Sequence, residues 1–208
     1  MNFLDFKEQI PHLKKSKLGG LTAQFKLAPE LRLRYDEDKI IAQNPKKAAV
    51  LALFYPDEHN KTRVLLTQRA SYKGTHSAQI SFPGGKTALN DSSLEHTAKR
   101  ETFEEVGIDS DSIHTIRELT TVFIPPSNFL ATPFIGYTNQ RPLFNTNYEV
   151  AATIEVLLED LLNDENISTV EMSTSYMNKV NVPCFKLDNY IIWGATAMIL
   201  SEIKELFQ

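Results

Sequence analysis

One stretch constrains this chain more than any other. Arg100 to Ile108 reads RETFEEVGI and carries Glu101, Glu104 and Glu105. Residues three and four apart share one face of a helix. Read as a helix, the stretch therefore brings three carboxylates onto one patch. Like charges so placed repel by ~0.2–0.5 kcal/mol per pair. A fold that contains this helix must offer that face either water or a cation. A hard divalent ion such as Mg²⁺ takes oxygen ligands and is often shared with substrate phosphates. A solvated acidic face is the alternative reading. Arg100 is placed to pair with one carboxylate and fix its rotamer. Ser92 and Glu95 have the spacing of a capping box, which starts the helix near Ser93. Gly107 suits the left-handed residue that closes it. The expected helix spans 93–106, with Phe103 and Val106 turned toward a core and Glu95 serving the cap.

The elements around it follow from pattern. Residues 2–17 read as an amphipathic helix on Phe3, Phe6 and Ile10, disturbed near its end by Pro11. Residues 18–45 read as irregular, so the expected organisation is an N-terminal helix and extension over 1–45 and one domain over 46–208. AAVLALFY (48–55) is a buried strand, and RVLLTQR (63–69) completes a hairpin with it. ISF ends at Pro83, and Gly84 and Gly85 then open a loop where backbone can approach a ligand closely. IHTIRELTTVFI and ATPFIGYT read as strands separated by Pro125-Pro126. EVAATIEVLLEDLL begins extended and ends as a helical turn. MNKVNVPCFKLDNYIIW reads as further strands, with Phe185 and Trp193 expected in the core. Residues 194–207 read as an amphipathic closing helix. Strands mixed with two substantial helices indicate an α/β or α+β domain.

Charge and composition narrow the function classes. A net charge of -4 argues against a general nucleic-acid binder. Cys184 stands alone, which excludes an intramolecular disulfide and fits a reducing compartment. The start, MNFLDFKEQI, has no long apolar region of a signal peptide. Runs such as YIIWGATAMIL are too short to span a bilayer. The expectation is a soluble cytoplasmic protein without membrane or nucleic-acid partners, a monomer or a homodimer.

Gly85 followed by RETFEEVGI resembles the Nudix box, whose core reads Gly, spacer, Arg-Glu-x-x-Glu-Glu-x-Gly-hydrophobic. The spacer is one residue longer than the common form, the upstream Glu of the box is displaced to Glu95, and Thr102 stands where an aliphatic residue is usual. LLTQR and QISFPGGK look like the upstream extension of the coenzyme A pyrophosphatase branch of Nudix hydrolases, which shares the longer spacer. TPFIG, YEVAATIEV and IIWGATAMIL resemble its later segments, so the likeness covers roughly 48–207. The branch has Arg where this chain has Gly74, Gly where it has Ala78, and commonly Asp where it has Ala88.

This resemblance implies a Nudix-type α/β/α sandwich with a mixed sheet, and metal-dependent cleavage of a nucleoside diphosphate. The implied substrate is coenzyme A or acyl-coenzyme A, giving 3′,5′-ADP and 4′-phosphopantetheine or its acyl form. It also implies Mg²⁺ or Mn²⁺ on Glu101, Glu104 and Glu105, with the Gly84 carbonyl as a further ligand, and Arg100 orienting the glutamates. Glu101 or Glu149 is the general base. Arg69, Lys73, His76 and Lys86 contact the substrate, and Lys73 stands in for the charge missing at Gly74. Other readings are another nucleoside diphosphate such as ADP-ribose, and a catalytically silent nucleotide-binding module of the same fold.

Overall fold

The computed structural model describes residues 1–70, 79–174 and 177–208. The uninterrupted apolar run forms the central strand β1 (Lys46–Pro56), buried on both faces. Successive side chains on a strand point to opposite sides, and the two sides enter two separate cores. Ala49, Leu51, Leu53 and Tyr55 join one core, while Ala52 and Phe54 join the other. β2 (Thr62–Arg69) turns back antiparallel on the end of β1, as the hairpin reading expects. Its longer pairing is with β8 (Val150–Leu157). β7 (Phe129–Tyr137) runs parallel to β1 along most of its length. β5 (His114–Glu118) and β6 (Val122–Ile124) pair antiparallel with β7. The short β3 (Ile80–Ser81) lies on β2, and together with β4 (Gly84–Lys86) on β1 these strands form, among the described residues, an eight-stranded mixed sheet.

Helix α5 (Leu94–Val106) covers the face of Leu51, Leu53 and Leu65. α1 (Phe3–Lys15) and α7 (Gly194–Leu206) cover the other, where Phe6 stacks on Phe54 with ring centroids 5.0 Å apart. The result is the α/β/α sandwich with a mixed sheet. A second sheet of β9 (Ile167–Thr174), β10 (Met177–Leu187) and β11 (Tyr190–Trp193) leads into α7.

α1, Phe3–Lys15, falls within the expected 2–17 and holds Pro11 inside it. Several elements differ from the sequence reading. Residues 18–45 are not irregular: they hold α2 (Gly20–Phe25), α3 (Glu30–Leu33) and α4 (Glu37–Ala42). Each is too short for a helical period to be read. Gly84 and Gly85 do not open a loop. They lie in β4 (Gly84–Lys86), paired antiparallel with Ala48 to Val50. The closing helix is buried on nearly every side rather than amphipathic, because α2 and α6 (Leu158–Leu162) wrap its outer face.

Its polar residues are accordingly satisfied inside. Glu202 is 0% exposed and accepts from Gly20 N, Gln24 Nε2, Thr120 N and Thr120 Oγ1 at 2.5–3.2 Å. A buried carboxylate without a counter-cation is tolerable only with such a full set of donors. Lys204 Nζ donates to the Leu161 and Leu162 carbonyls and pairs with Asp164. Phe185 is in the core as expected, whereas Trp193 is only half-buried and faces a cavity.

Candidate active site

Helix α5 begins and ends where the sequence places its limits. The cap is Ser93 itself, whose side chain accepts from His96 N. Gly107, at φ +75°, closes the helix. Glu95 does not cap. Its Oε1 accepts from Thr115 Oγ1 at 2.6 Å and pairs with Lys99 at 3.0 Å, tying α5 to β5. The phase of the helix also differs from expectation. Ala98, Thr102 and Val106 are the residues buried on the sheet, while Phe103 is 56% exposed. Small side chains let the helix lie close to β1, and Thr102 bonds its hydroxyl back to the Ala98 carbonyl at 2.7 Å.

That phase sets the three glutamates apart. Glu101 and Glu105 face the cavity beside β4, whereas Glu104, half exposed, does not line it. Glu105 Oε2 accepts from the Gly84 N–H at 3.1 Å. Arg100 Nη1 stands 2.9 Å from Glu101 Oε1 and 3.1 Å from Glu104 Oε2, so one guanidinium nitrogen serves both. Among the described residues no three acidic, histidine or cysteine side chains are already gathered as a metal-ligating group.

The chemistry nonetheless fits a hard cation, because the donors are carboxylate oxygens. The fit also shows in the backbone. A Cβ on Gly85 would lie 2.5 Å from the Glu101 carboxyl carbon, so glycine lets that carboxylate lie against β4 where a larger residue would displace it. Glu101 and Glu105 could turn to such an ion while Arg100 keeps a separate anchor.

That anchor is Asp91, which the sequence reading did not single out. Its carboxylate, 3% exposed, takes Arg100 Nε at 2.9 Å and Nη2 at 3.0 Å. It also accepts from Thr97 Oγ1 and Ala88 N, each at 2.8 Å. Arg100 Nη2 donates further to the Lys86 carbonyl. The paired guanidinium holds the Asp91 carboxyl far below the usual carboxylate range. The available signal was an acid just ahead of the helix N-terminus, where negative charge is favoured.

Burial pushes the Glu105 carboxyl up to about 7, with Glu101 and Glu149 adding to the rise and the Gly84 N–H and Arg69 opposing it. Burial raises Glu101 as well, against the pull of Arg100. Perturbed carboxyls in a cleft are a recognised feature of functional sites. A measurable consequence follows. The folded chain holds the Glu105 proton more tightly than the unfolded chain, so folding is favoured below the ordinary value of 4.5 and loses that contribution as pH rises to about 7. In EDTA, the melting temperature of Glu105→Gln should climb relative to wild type between pH 5 and pH 8. A difference that stays flat across that range would disprove the shift.

Glu149 sits in the turn before β8, with Oε2 3.5 Å from Arg69 Nη2. The two close the same cavity, whose volume is about 520 Å³. Lys86 also lines it, with Nζ 5.6 Å from the Phe129 ring centre. Arg69, Glu101, Glu105 and Glu149 form its polar wall, and Phe123, Ile124, Trp193, Met198 and Ile199 its apolar wall. Lys73 and His76, with Gly74 and Ala78, lie outside the described residues. No helix among the described residues is long and apolar enough to cross a membrane.

A family model described as the NUDIX domain matches residues 45–170. Nudix hydrolase 22, chloroplastic, of Arabidopsis thaliana is 35% identical over 162 residues, covering 75% of this chain and 53% of that protein. Nudix hydrolase 15, mitochondrial, of the same plant is also 35% identical, over 75% of this chain and 56% of its own length. The chain thus spans a little over half the length of these two relatives. The Nudix hydrolase NudL of Yersinia pestis (strain Pestoides F) is 32% identical over 68% of this chain and 71% of its own. Among solved structures, a MutT/nudix family protein from Enterococcus faecalis superposes with a TM-score of 0.54 at 16% identity, over 97% of this chain and 74% of that one. The NUDIX domain of Shewanella oneidensis NrtR, solved with ADP ribose, gives 0.50 at 14% identity, over 85% and 96%. At these identities the structural likeness speaks for the fold alone.

Proposed function

The chain belongs to the Nudix family, and from that premise we propose that it is a metal-dependent pyrophosphohydrolase acting on coenzyme A or acyl-coenzyme A. The observation that carries the hydrolase reading is the placement of Glu101 and Glu105 against the glycines of β4, at the wall of a cavity that also holds Arg69. We assign Glu101, Glu104 and Glu105 to a bound Mg²⁺ or Mn²⁺, with the Gly84 carbonyl as a further ligand. When bound, the ion neutralises phosphoryl oxygens and lowers the pKa of its water. Arg100, fixed from behind by Asp91, orients Glu101 and Glu104. Glu101 accepts the proton of the attacking water at a carboxylate oxygen. Glu149 is the alternative base, its carboxylate at the same cavity and 3.5 Å from Arg69. Arg69 and Lys86 face the substrate phosphates. Lys73 and His76 keep the substrate-contacting role the family likeness implies.

The coenzyme A assignment rests on the LLTQR and QISFPGGK segments, and the apolar wall of the cavity is consistent with a substrate that carries more than a nucleotide. A substrate panel with Mg²⁺ or Mn²⁺ tests it, comparing coenzyme A, acyl-coenzyme A, ADP-ribose, NADH and diadenosine polyphosphates. Coenzyme A or its acyl forms should give the highest kcat/KM. Much faster cleavage of ADP-ribose would transfer the assignment to another nucleoside diphosphate, and no turnover with any of them would favour a binding module.

A further inference from the structure

Arg32 lines the same cavity from α3, ahead of the segment that the family model matches. The residue is 4% exposed. Its Nη1 donates to the Tyr35 carbonyl at 2.8 Å, and its guanidinium lies 5.1 Å from the centre of the Phe25 ring. Among the described residues its buried Nε has no hydrogen-bond partner. Burial alone disfavours its charge, with no neighbouring acid to offset the effect. Arginine stays protonated in proteins, so this is a buried cation without a counter-ion. Such a group is costly to keep. The Tyr35 ring beside it packs on Phe123, at 5.2 Å, which places Arg32 with the apolar wall rather than with the carboxylates.

We propose that Arg32 is a specificity-determining residue that binds an oxyanion, a phosphomonoester or a carboxylate, carried by the substrate away from the bond that is cleaved. A guanidinium offers donors in a fork that matches the paired oxygens of either group. The apolar surroundings strengthen that contact by excluding water. The site thereby distinguishes substrates that bear this second anion from those that lack it. For the class of ligand, the inference rests on the nucleoside diphosphate reading above.

The test is calorimetric binding in EDTA to the full chain, with Arg32→Met and Arg32→Gln as variants. One pair of probes, coenzyme A and dephospho-coenzyme A, isolates the phosphomonoester. A second pair, succinyl-coenzyme A and acetyl-coenzyme A, isolates the carboxylate. Wild type should prefer the anion-bearing member of one pair by tenfold or more, and that pair identifies the source. Both variants should bring the preference within twofold while leaving affinity for the other member unchanged. If Arg32→Met does not fold, Arg32→Gln supplies the same comparison.

No preference by wild type in either pair, or equal weakening of both members by the variants, would overturn the proposal. Because binding in EDTA needs no turnover, the two readings fail separately. A preference that depends on Arg32, without hydrolysis of coenzyme A, would sink the proposed reaction and retain the anion site. Hydrolysis without the preference would do the reverse.

Discussion

Replacing Glu105 with glutamine should abolish most turnover, by a hundredfold or more, without loosening the fold. Glutamine keeps the shape of the side chain and removes its charge. Its amide oxygen can still accept from the Gly84 N–H, which Glu105 Oε2 meets at 3.1 Å. On the proposed assignment, what is lost is a carboxylate ligand for the divalent ion, and with it several kcal/mol of transition-state stabilisation. A hundredfold corresponds to about 2.7 kcal/mol. Glu104→Gln should fall in the same way on that assignment, since its carboxylate shares Arg100 Nη1 with Glu101. Glu95→Gln is the control: its contacts run to Thr115 and Lys99, so its effect should appear in the melting temperature and not in kcat. Steady-state kinetics at saturating Mg²⁺ decide the matter. Near wild-type rates for both Glu104→Gln and Glu105→Gln would make this face of α5 an ordinary solvated surface.

Asp91→Ala should be the most damaging single change to stability around the site. It strips Arg100 of two hydrogen bonds and leaves Thr97 Oγ1 and the Ala88 N–H without their acceptor. Arg100 keeps Glu101, Glu104 and the Lys86 carbonyl, so the cost is that of the lost charged hydrogen bonds and the stranded donors, about 1–3 kcal/mol. For a chain of this size that lowers the melting temperature by roughly 2–12 °C. Turnover should fall too, since Arg100 loses the hold that keeps it between Glu101 and Glu104. Asp91→Asn keeps one acceptor oxygen and should lie between the alanine variant and wild type. Differential scanning calorimetry measures the first effect and kcat the second. An alanine variant that melts within about 1 °C of wild type would show that the Asp91 cluster contributes little.

The limits of α5, the central β1 and the two-sided core were legible because each has a local signal: a cap, a terminating glycine, an apolar run. The helix phase was not. Phe103 reads as core by size, yet Ala98 and Thr102 are what allow the helix to approach the sheet. Asp91 escaped notice because its partner lies beyond the start of the helix, and nothing local predicts a bond that closes over that turn. Glu95 carried a good capping signal, but Ser93 took the cap and a hydroxyl on β5 took Glu95. The glycine pair read as a loop open to a ligand, but its backbone is a paired strand that packs closely on β1 and the Glu101 carboxylate. β9 was missed because ISTVEMST is mostly polar, and its pairing with β10 is visible only in three dimensions. Arg32 was passed over inside a stretch read as irregular, where charge looked like ordinary surface.

The packing of the chain's opening helices onto its closing one has a consequence for biosynthesis. The Phe6 ring lies 6.2 Å from that of Phe207, and Glu202 holds Gly20 and Gln24. At about 5–20 residues per second, the roughly 200 residues between those rings take on the order of ten to forty seconds to synthesise. Throughout that interval Phe3, Phe6 and Leu13 have been made while α7, which packs in the same core, does not yet exist. Such non-local contacts also form late, because loop closure must be met before they stabilise anything. The nascent chain therefore presents an amphipathic helix whose apolar face lacks part of its cover until α7 arrives, and a holdase that recognises such faces should bind ribosome-attached chains ending before residue 194 and release those whose α7 has cleared the ribosome.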